Sequence, residues 1–160
     1  MMIELKVDGW QAGVRFDSAH FIADYDRCGH LHGHTYAIHC NVLGERDEHG
    51  IVIDFTVIKR ALREIADDLD HKMLIPDRME HTKLDISGKS VKLVNRGNDY
   101  VFPLDDCLVL PLEATSAENL SEYVLGELMK RIEVPQSVKR ISVGIDESYG
   151  QGAWAIWQKE

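Results

Sequence analysis

The sequence predicts an α+β fold in which one antiparallel sheet carries helices on one face. Three observations support this. Segments near both ends alternate apolar and polar residues, two stretches between them shift to three- and four-residue steps, and turn-forming residues separate the pieces. Ile3 to Phe21 alternates, ends in Val14-Arg15-Phe16-Asp17-Ser18-Ala19-His20 and reads as extended. Ala23 to Gly33 is short, polar and glycine-containing, so it reads as a loop. Thr35 to Leu43 is rich in β-formers and reads as a strand. Asp47 to Gly50 has turn chemistry, and Ile51 to Phe55 reads as a further strand.

The period then changes. Val57, Ile58, Ala61, Leu62, Ile65, Ala66 and Leu69 form the apolar face of a helix over 56–69, with Thr56 or Asp54 as its cap. Lys83 to Val94 and Tyr100 to Phe102 read as a hairpin turning at Asn95-Arg96-Gly97-Asn98. Thr115 opens a second helix as its cap, with Glu118 as the acid of a capping box, and that helix runs to about Arg131. Val138 to Ile145 and Ala153 to Trp157 read as a closing strand pair. The 160 residues fit a single domain, 1–160.

Composition narrows the function. Hydrophobic residues are 44% and charged residues 28%, which are ordinary globular values. A formal net charge of −9 argues against wrapping nucleic acid or binding an anionic membrane surface. No apolar run approaches the roughly 20 residues of a spanning helix. The N-terminus lacks the basic-then-apolar pattern of a secretion signal. Cys28, Cys40 and Cys107 are too few, and odd in number, for a disulfide framework, so a reducing cytoplasm is expected.

Four of the eight histidines lie between positions 20 and 34. Residues two apart on a strand point the same way, so His32 and His34 can face one metal, with Gly33 leaving room between them. His20 joins them if its strand pairs with theirs. Three imidazole nitrogens suit zinc and leave an open position, the mark of a catalytic site. His30 shares their phase, and spacing alone does not exclude it. His39, His49 and His81 lack partners and read as solvated or satisfied histidines.

Cys28 admits two roles: a zinc thiolate that closes the site, or a nucleophile or base beside a cation. Its loop placement favours the second. Cys40 and Cys107 sit in apolar surroundings and read as packing residues. Asp70-His71 follows the first helix. A carboxylate on one imidazole nitrogen fixes the tautomer and prepares the ring for proton transfer near neutral pH. The same two residues also read simply as the end of a helix.

These residues resemble the 6-pyruvoyltetrahydropterin synthase family. The resemblance rests on FDSAHFI (16–22), Cys28-Gly29-His30-Leu31-His32-Gly33-His34, VIDF (52–55), LDHKML (69–74), TSAENL (115–120) and Glu147, in order along nearly the whole chain. It implies a tunnelling fold, with a four-stranded antiparallel sheet and two helices on one side. It also implies a homo-oligomer, commonly a hexamer of two trimers, with active sites between subunits. By resemblance, His20, His32 and His34 bind zinc. Cys28 is the catalytic thiol, and Asp70 and His71 are its proton relay. Glu147 anchors a pterin ring, helped by Thr115, Ser116 and Glu118 at the helix start. The implied substrate is 7,8-dihydroneopterin triphosphate.

The three residues between Cys28 and His32 resemble the 6-carboxytetrahydropterin synthase branch, on the route to 7-deazaguanine tRNA bases. The alternatives are the pyruvoyl product, aldolase-type side-chain cleavage, or a non-catalytic zinc-stabilised binding or assembly module. One departure stands out. The stretch from Asp77 to Leu110 exceeds the short link of compact members and holds the inferred hairpin. It is expected to reshape the pocket rim or to extend the sheet. Arg15, Arg27 and Lys72 are the candidate cations for a triphosphate, and each also reads as a solvated charge.

Overall fold

A computed structural model describes residues 1–160. Strand β1 (Met2–Val7), a short helix α1 (Gly9–Ala12) and strand β2 (Arg15–His20) open the chain. The long strand β3 (His32–Glu45) follows, then helix α2 (Phe55–Leu69) and strand β4 (Lys72–Pro76). Next come β5 (Asp85–Ser87), β6 (Ser90–Asn95), β7 (Asn98–Pro103) and β8 (Cys107–Leu110). Helix α3 (Ala117–Arg131) and the pair β9 (Val138–Ser148) and β10 (Gln151–Gln158) close it.

The expected antiparallel unit of four strands is present. β1 and β2 lie one after the other along the same edge of β3, and β9 and β10 continue the sheet on its other side. The extended reading of residues 3–21 needs one correction, because α1 interrupts it. Asp8 Oδ1 accepts the Gln11 N–H at 3.1 Å to start that turn, and Gly13 closes it at φ 68°. Gly9 is required by close approach: a Cβ there would lie 2.3 Å from the Ile38 carbonyl oxygen on β3.

Residues 51–54 do not form the expected strand. Both sides of β3 are already taken, by β1 with β2 and by β9, so no edge is free to pair with them. Asp47 Oδ1 accepts the N–H groups of His49 and Ile51, each at 2.9 Å, and closes the turn. Val52 and Ile53 then bury their side chains. Asp54, not Thr56, caps α2 by accepting the Thr56 N–H at 2.7 Å. The buried face of α2 comprises Ile58, Ala61, Leu62, Ile65, Ala66 and Leu69, close to the face read from periodicity.

The cap of α3 is Ser116, whose Oγ accepts the Asn119 N–H at 3.4 Å, and not Thr115. Glu118 therefore stands in the first turn as an acid facing the positive end of the helix dipole, not as the acid of a capping box. Both long helices pack on the same core as β3 and β9, through 27 buried residues that include Phe16, Tyr36, Ile38, Leu62 and Val143. Leu62 is fully buried there. Leu62→Ala is expected to lower unfolding stability by about 2–5 kcal/mol, read from the midpoint of a urea transition at unchanged slope.

The sheet also extends beyond the expected four strands. β4 pairs parallel to β2, and β8 pairs parallel to β4. Met73, Leu74, Ile75 and Pro76 are all buried, the continuous apolar run that a covered parallel strand requires. The inserted segment is not a simple hairpin. β5, β6 and β7 form a separate three-stranded sheet, and β8 leaves it to join the main sheet. Its turn at Asn95 to Asn98 lies where expected. No helix is long and apolar enough to cross a membrane.

Candidate active site and metal centre

β2 and β3 pair with His20 opposite His32, Ser18 opposite His34 and Phe16 opposite Tyr36. Alternation puts these side chains on one face. The Phe16 and Tyr36 rings stack at 4.6 Å as a floor. Above them one ring nitrogen from each of His20, His32 and His34 falls within 4.8 Å of the others. Gly33 sits where a Cβ would press on the Ser18 carbonyl at 3.0 Å.

Hydrogen bonding fixes the tautomers. His20 Nδ1 lies 2.9 Å from the Thr115 carbonyl oxygen, and His32 Nδ1 lies 2.6 Å from the His30 carbonyl oxygen. A carbonyl only accepts, so both Nδ1 atoms carry the proton. In the neutral rings both Nε2 atoms are then lone pairs, yet they face each other at 3.1 Å. His34 Nε2 is also buried with no hydrogen-bond partner. Lone pairs converging without a proton between them call for a cation. The donor set fits zinc, with backbone carbonyls orienting the rings from behind.

Burial pushes the His20 imidazole down to about 4, against the Thr115 bond that favours its charged form. Burial first, then the neighbouring His32 charge, lowers His34 as well. Neutral imidazole is the ligating form, so both rings are ready to bind at neutral pH.

The three histidines line a cavity of about 560 Å3 that also holds Cys28, Ser116, Glu118 and Glu147. Cys28 sits in the 3-10 turn Arg27–Gly29 and is exposed. It is absent from the converging donor set, so a metal held by the three histidines would keep a position open. Cys40 and Cys107 differ from it. Burial raises the Cys40 thiol to about 12, and burial followed by the Asp106 charge raises Cys107.

Glu147 owes its position to a β-bulge. Ser148 pairs with Gln151 and Asp146 with Gly152, leaving Glu147 as the unpaired extra residue. Gly152 permits this, since a Cβ there would lie 2.2 Å from the Ile145 carbonyl oxygen. Burial raises the Glu147 carboxyl and the Glu118 charge adds to the shift, while His32 and the Ala117 N–H oppose it. Ser116 and Ala117 present the open N-terminus of α3 to the same cavity.

Two expectations fall elsewhere in the chain. Thr115 is fully buried behind His20, where its carbonyl and hydroxyl face Nδ1, and does not line the cavity. Asp70 and His71 are joined at 2.6 Å and pinned to β2, through Asp17 N–H to Asp70 Oδ1 and His71 N–H to the Asp17 carbonyl, each at 2.7 Å. The Asp17 N–H, followed by His71, holds the Asp70 carboxyl below the usual carboxylate range. His71 lines a neighbouring cavity, with Asp17, Gly33, His34 and Lys72, from which Cys28 and Glu147 are absent; His34 borders both cavities. One chain does not bring this pair to Cys28.

Among the other histidines, His39 is buried and its Nδ1 accepts the Gly9 N–H at 3.1 Å. Its Nε2 lies 3.1 Å from Asp146 Oδ2, off the axis of a hydrogen bond. His49 and His81 are exposed beside Glu48 and Glu80. His30 orients His32 through its carbonyl, and with Arg27 it lines the outer mouth of the site. Lys72 Nζ instead donates to the Asp105 carbonyl at 2.7 Å. Tyr36 was missed by sequence reading: its hydroxyl is buried without a partner beneath the histidines, and burial raises its pKa strongly. Its place two residues beyond His34 on the same strand face was the available signal.

Comparison with known proteins gives a consistent answer. The family model described as 6-pyruvoyl tetrahydropterin synthase matches residues 11–159. A protein of Methanocaldococcus jannaschii named "Putative 6-carboxy-5,6,7,8-tetrahydropterin synthase" is 36% identical over 156 residues, covering 96% of this chain and 94% of its own. The 6-carboxy-5,6,7,8-tetrahydropterin synthase of Haemophilus influenzae is 35% identical over 119 residues, 71% of this chain and 76% of its own. A catalytic-residue mutant of Plasmodium vivax 6-pyruvoyltetrahydropterin synthase superposes with a TM-score of 0.92 at 29% identity, covering 99% of each chain. The tunnelling fold is therefore shared.

Proposed function

The chain belongs to the 6-pyruvoyl tetrahydropterin synthase family, and on that premise we propose that it is a zinc-dependent pterin synthase. Its substrate in this reading is 7,8-dihydroneopterin triphosphate. With one water, this gives 6-carboxy-5,6,7,8-tetrahydropterin, acetaldehyde and triphosphate, on the route to 7-deazaguanine tRNA bases. The observation that carries the reading is the single cavity in which three convergent imidazoles meet Cys28 and Glu147.

His20, His32 and His34 would hold the zinc. When bound, zinc supplies Lewis-acid polarisation to oxygen atoms of the substrate side chain. Glu147 accepts hydrogen bonds from the pterin ring N–H groups, and its unpaired bulge position points it at them. The first turn of α3, with Ser116 and Glu118, borders the same ring. Cys28 is placed to take and return protons at the side-chain carbons. Arg27 at the mouth is the cation best placed for the triphosphate.

Asp70 and His71 complete the set as a proton relay, in which the carboxylate fixes the His71 tautomer through Nδ1 and leaves Nε2 exposed. His71 and Cys28 of one chain line separate cavities, so in this reading the relay acts on the site of a neighbouring copy in a homo-oligomer. The hexamer of two trimers and the cytoplasmic setting belong to the same proposal.

Product identity tests the reading. Protein incubated with 7,8-dihydroneopterin triphosphate should release acetaldehyde and 6-carboxytetrahydropterin in equal amounts by mass spectrometry. A pyruvoyl product is the second reading, favoured by the name of the Plasmodium vivax relative. Its appearance, or that of glycolaldehyde, would overturn the carboxy assignment and keep the family.

A further inference from the structure

The inserted three-stranded sheet reaches the segment that carries Cys28. Asn95, at the end of β6, is fully buried. Its Nδ2 donates to the Gly29 carbonyl at 2.8 Å, and its Oδ1 accepts the Asp24 N–H at 3.1 Å. One side chain therefore ties both arms of the 22–30 segment, with Cys28 between the tied positions. Few bonds of the segment's own hold it. Ile22 N–H donates to the Cys28 carbonyl at 2.8 Å, Tyr25 N–H to the Ile22 carbonyl at 3.1 Å, and the Gly29 and His30 N–H groups close a single 3-10 turn. No strand pairs with it.

Further contacts support the same junction. The Arg96 N–H donates to Asp24 Oδ1 at 3.2 Å. Arg96 and Gly97 have φ of 53° and 74°, the turn geometry of a tight hairpin. The Arg96 side chain lies so close that a Cβ on Gly29 would stand 2.9 Å from its Cδ. Below, the Phe21 ring lies 5.5 Å from Tyr100 and is buried with Val91, Leu93, Met73, Ile75 and Met79. This second apolar cluster is separate from the main core. It fastens the insertion to the base of the segment, and Asn95 fastens it to the tip.

We propose that the inserted sheet is a positioning device for the Cys28 segment, with Asn95 as the positioning residue that clamps it. The inference rests on the reading of Cys28 as the proton-transferring thiol. A thiol on a loop must be held to a fraction of an ångström to move a proton on a bound carbon, and misplacement by about 1 Å costs up to about a hundredfold. A buried amide bonded at both ends supplies that restraint, since removing it strands a carbonyl and an N–H at once.

The test compares the full chain with Asn95→Ala, Asp24→Ala and Asp24→Asn, each loaded with zinc. Hydrogen–deuterium exchange is expected to rise about tenfold or more within 22–30 for both alanine variants, with β3 and β9 unchanged. The kcat is expected to fall about tenfold while KM stays within about twofold, because the restraint acts on the reacting thiol. Asp24→Asn keeps an acceptor for the Arg96 N–H and tolerates the φ of 55° at that position, so it should match wild type in both readouts. If Asn95→Ala does not fold, the exposed Asp24 pair decides whether the insertion holds the segment, through the Arg96 N–H that the carboxylate accepts while both Asn95 bonds stay in place. Unchanged exchange in 22–30, or a change in KM alone, would overturn the proposal. If the wild type does not turn over the pterin, the functional reading fails, and the exchange result still decides whether the insertion holds the segment.

Discussion

Cys28→Ala is expected to slow turnover of 7,8-dihydroneopterin triphosphate by about 10²–10⁴-fold, the range for losing a positioned acid or base. Zinc content should stay at the wild-type level. Cys28 shares the cavity of the three histidines without joining their donor set. Its side chain is exposed, so truncation leaves no core cavity and the unfolding midpoint should hold. Metal analysis beside steady-state kinetics checks both halves. Loss of zinc with the thiol would make Cys28 a ligand and favour a zinc-stabilised module over an enzyme. Full turnover without the thiol would move the proton-transfer role to another group.

His34→Ala is expected to abolish both metal binding and turnover. Its Nε2 is buried without a partner, and removing the ring leaves two imidazoles where a tetrahedral metal needs at least three protein ligands. Zinc by atomic absorption should fall from about one per chain to near zero, since two-nitrogen sites bind weakly. The fold should survive. The core of 27 residues contains none of the three histidines and only underlies them with Phe16 and Tyr36, unlike a zinc-dependent mini-domain. Unfolding on metal removal would point to structural zinc.

The sign of the accompanying pH effect follows from His20. Its folded value lies near 4, below the ordinary 6.5. Between these two values the unfolded chain binds more protons than the folded one. Metal-free protein should therefore lose stability as pH falls through that window and show no effect from this group above it. A melting series by circular dichroism across the window reads this directly.

Much of the site could be read from short-range pattern. His32 and His34 share a face because side chains alternate on any strand, and His20 meets them because β2 pairs with β3 through the intervening loop. The face of α2 follows from the helical period for the same local reason. Caps were less legible. Asp54 against Thr56, and Ser116 against Thr115, differ by where the chain enters the helix, and that is set by what the preceding residues bury. Thr115 is committed to His20, so Ser116 takes the cap.

The amino-acid sequence by itself determined the α+β class, both long helices, the histidine pair and the location of the inserted turn. Each depends on a backbone period or a turn preference that acts within a few residues. Tertiary structure decided the rest. The β4 and β8 pairings are parallel and join segments distant in sequence, so no local period marks them. Glu147 is aimed by a register shift against β10, which shows only when both strands are aligned. Asp70 is tied to Asp17, and His71 lines a cavity from which Cys28 is absent, although the family resemblance made them parts of one relay. The clamp of Asn95 on Gly29 spans 66 positions. Such contacts depend on which edges, cavities and unpaired polar groups the rest of the chain leaves available, and only the assembled fold determines those.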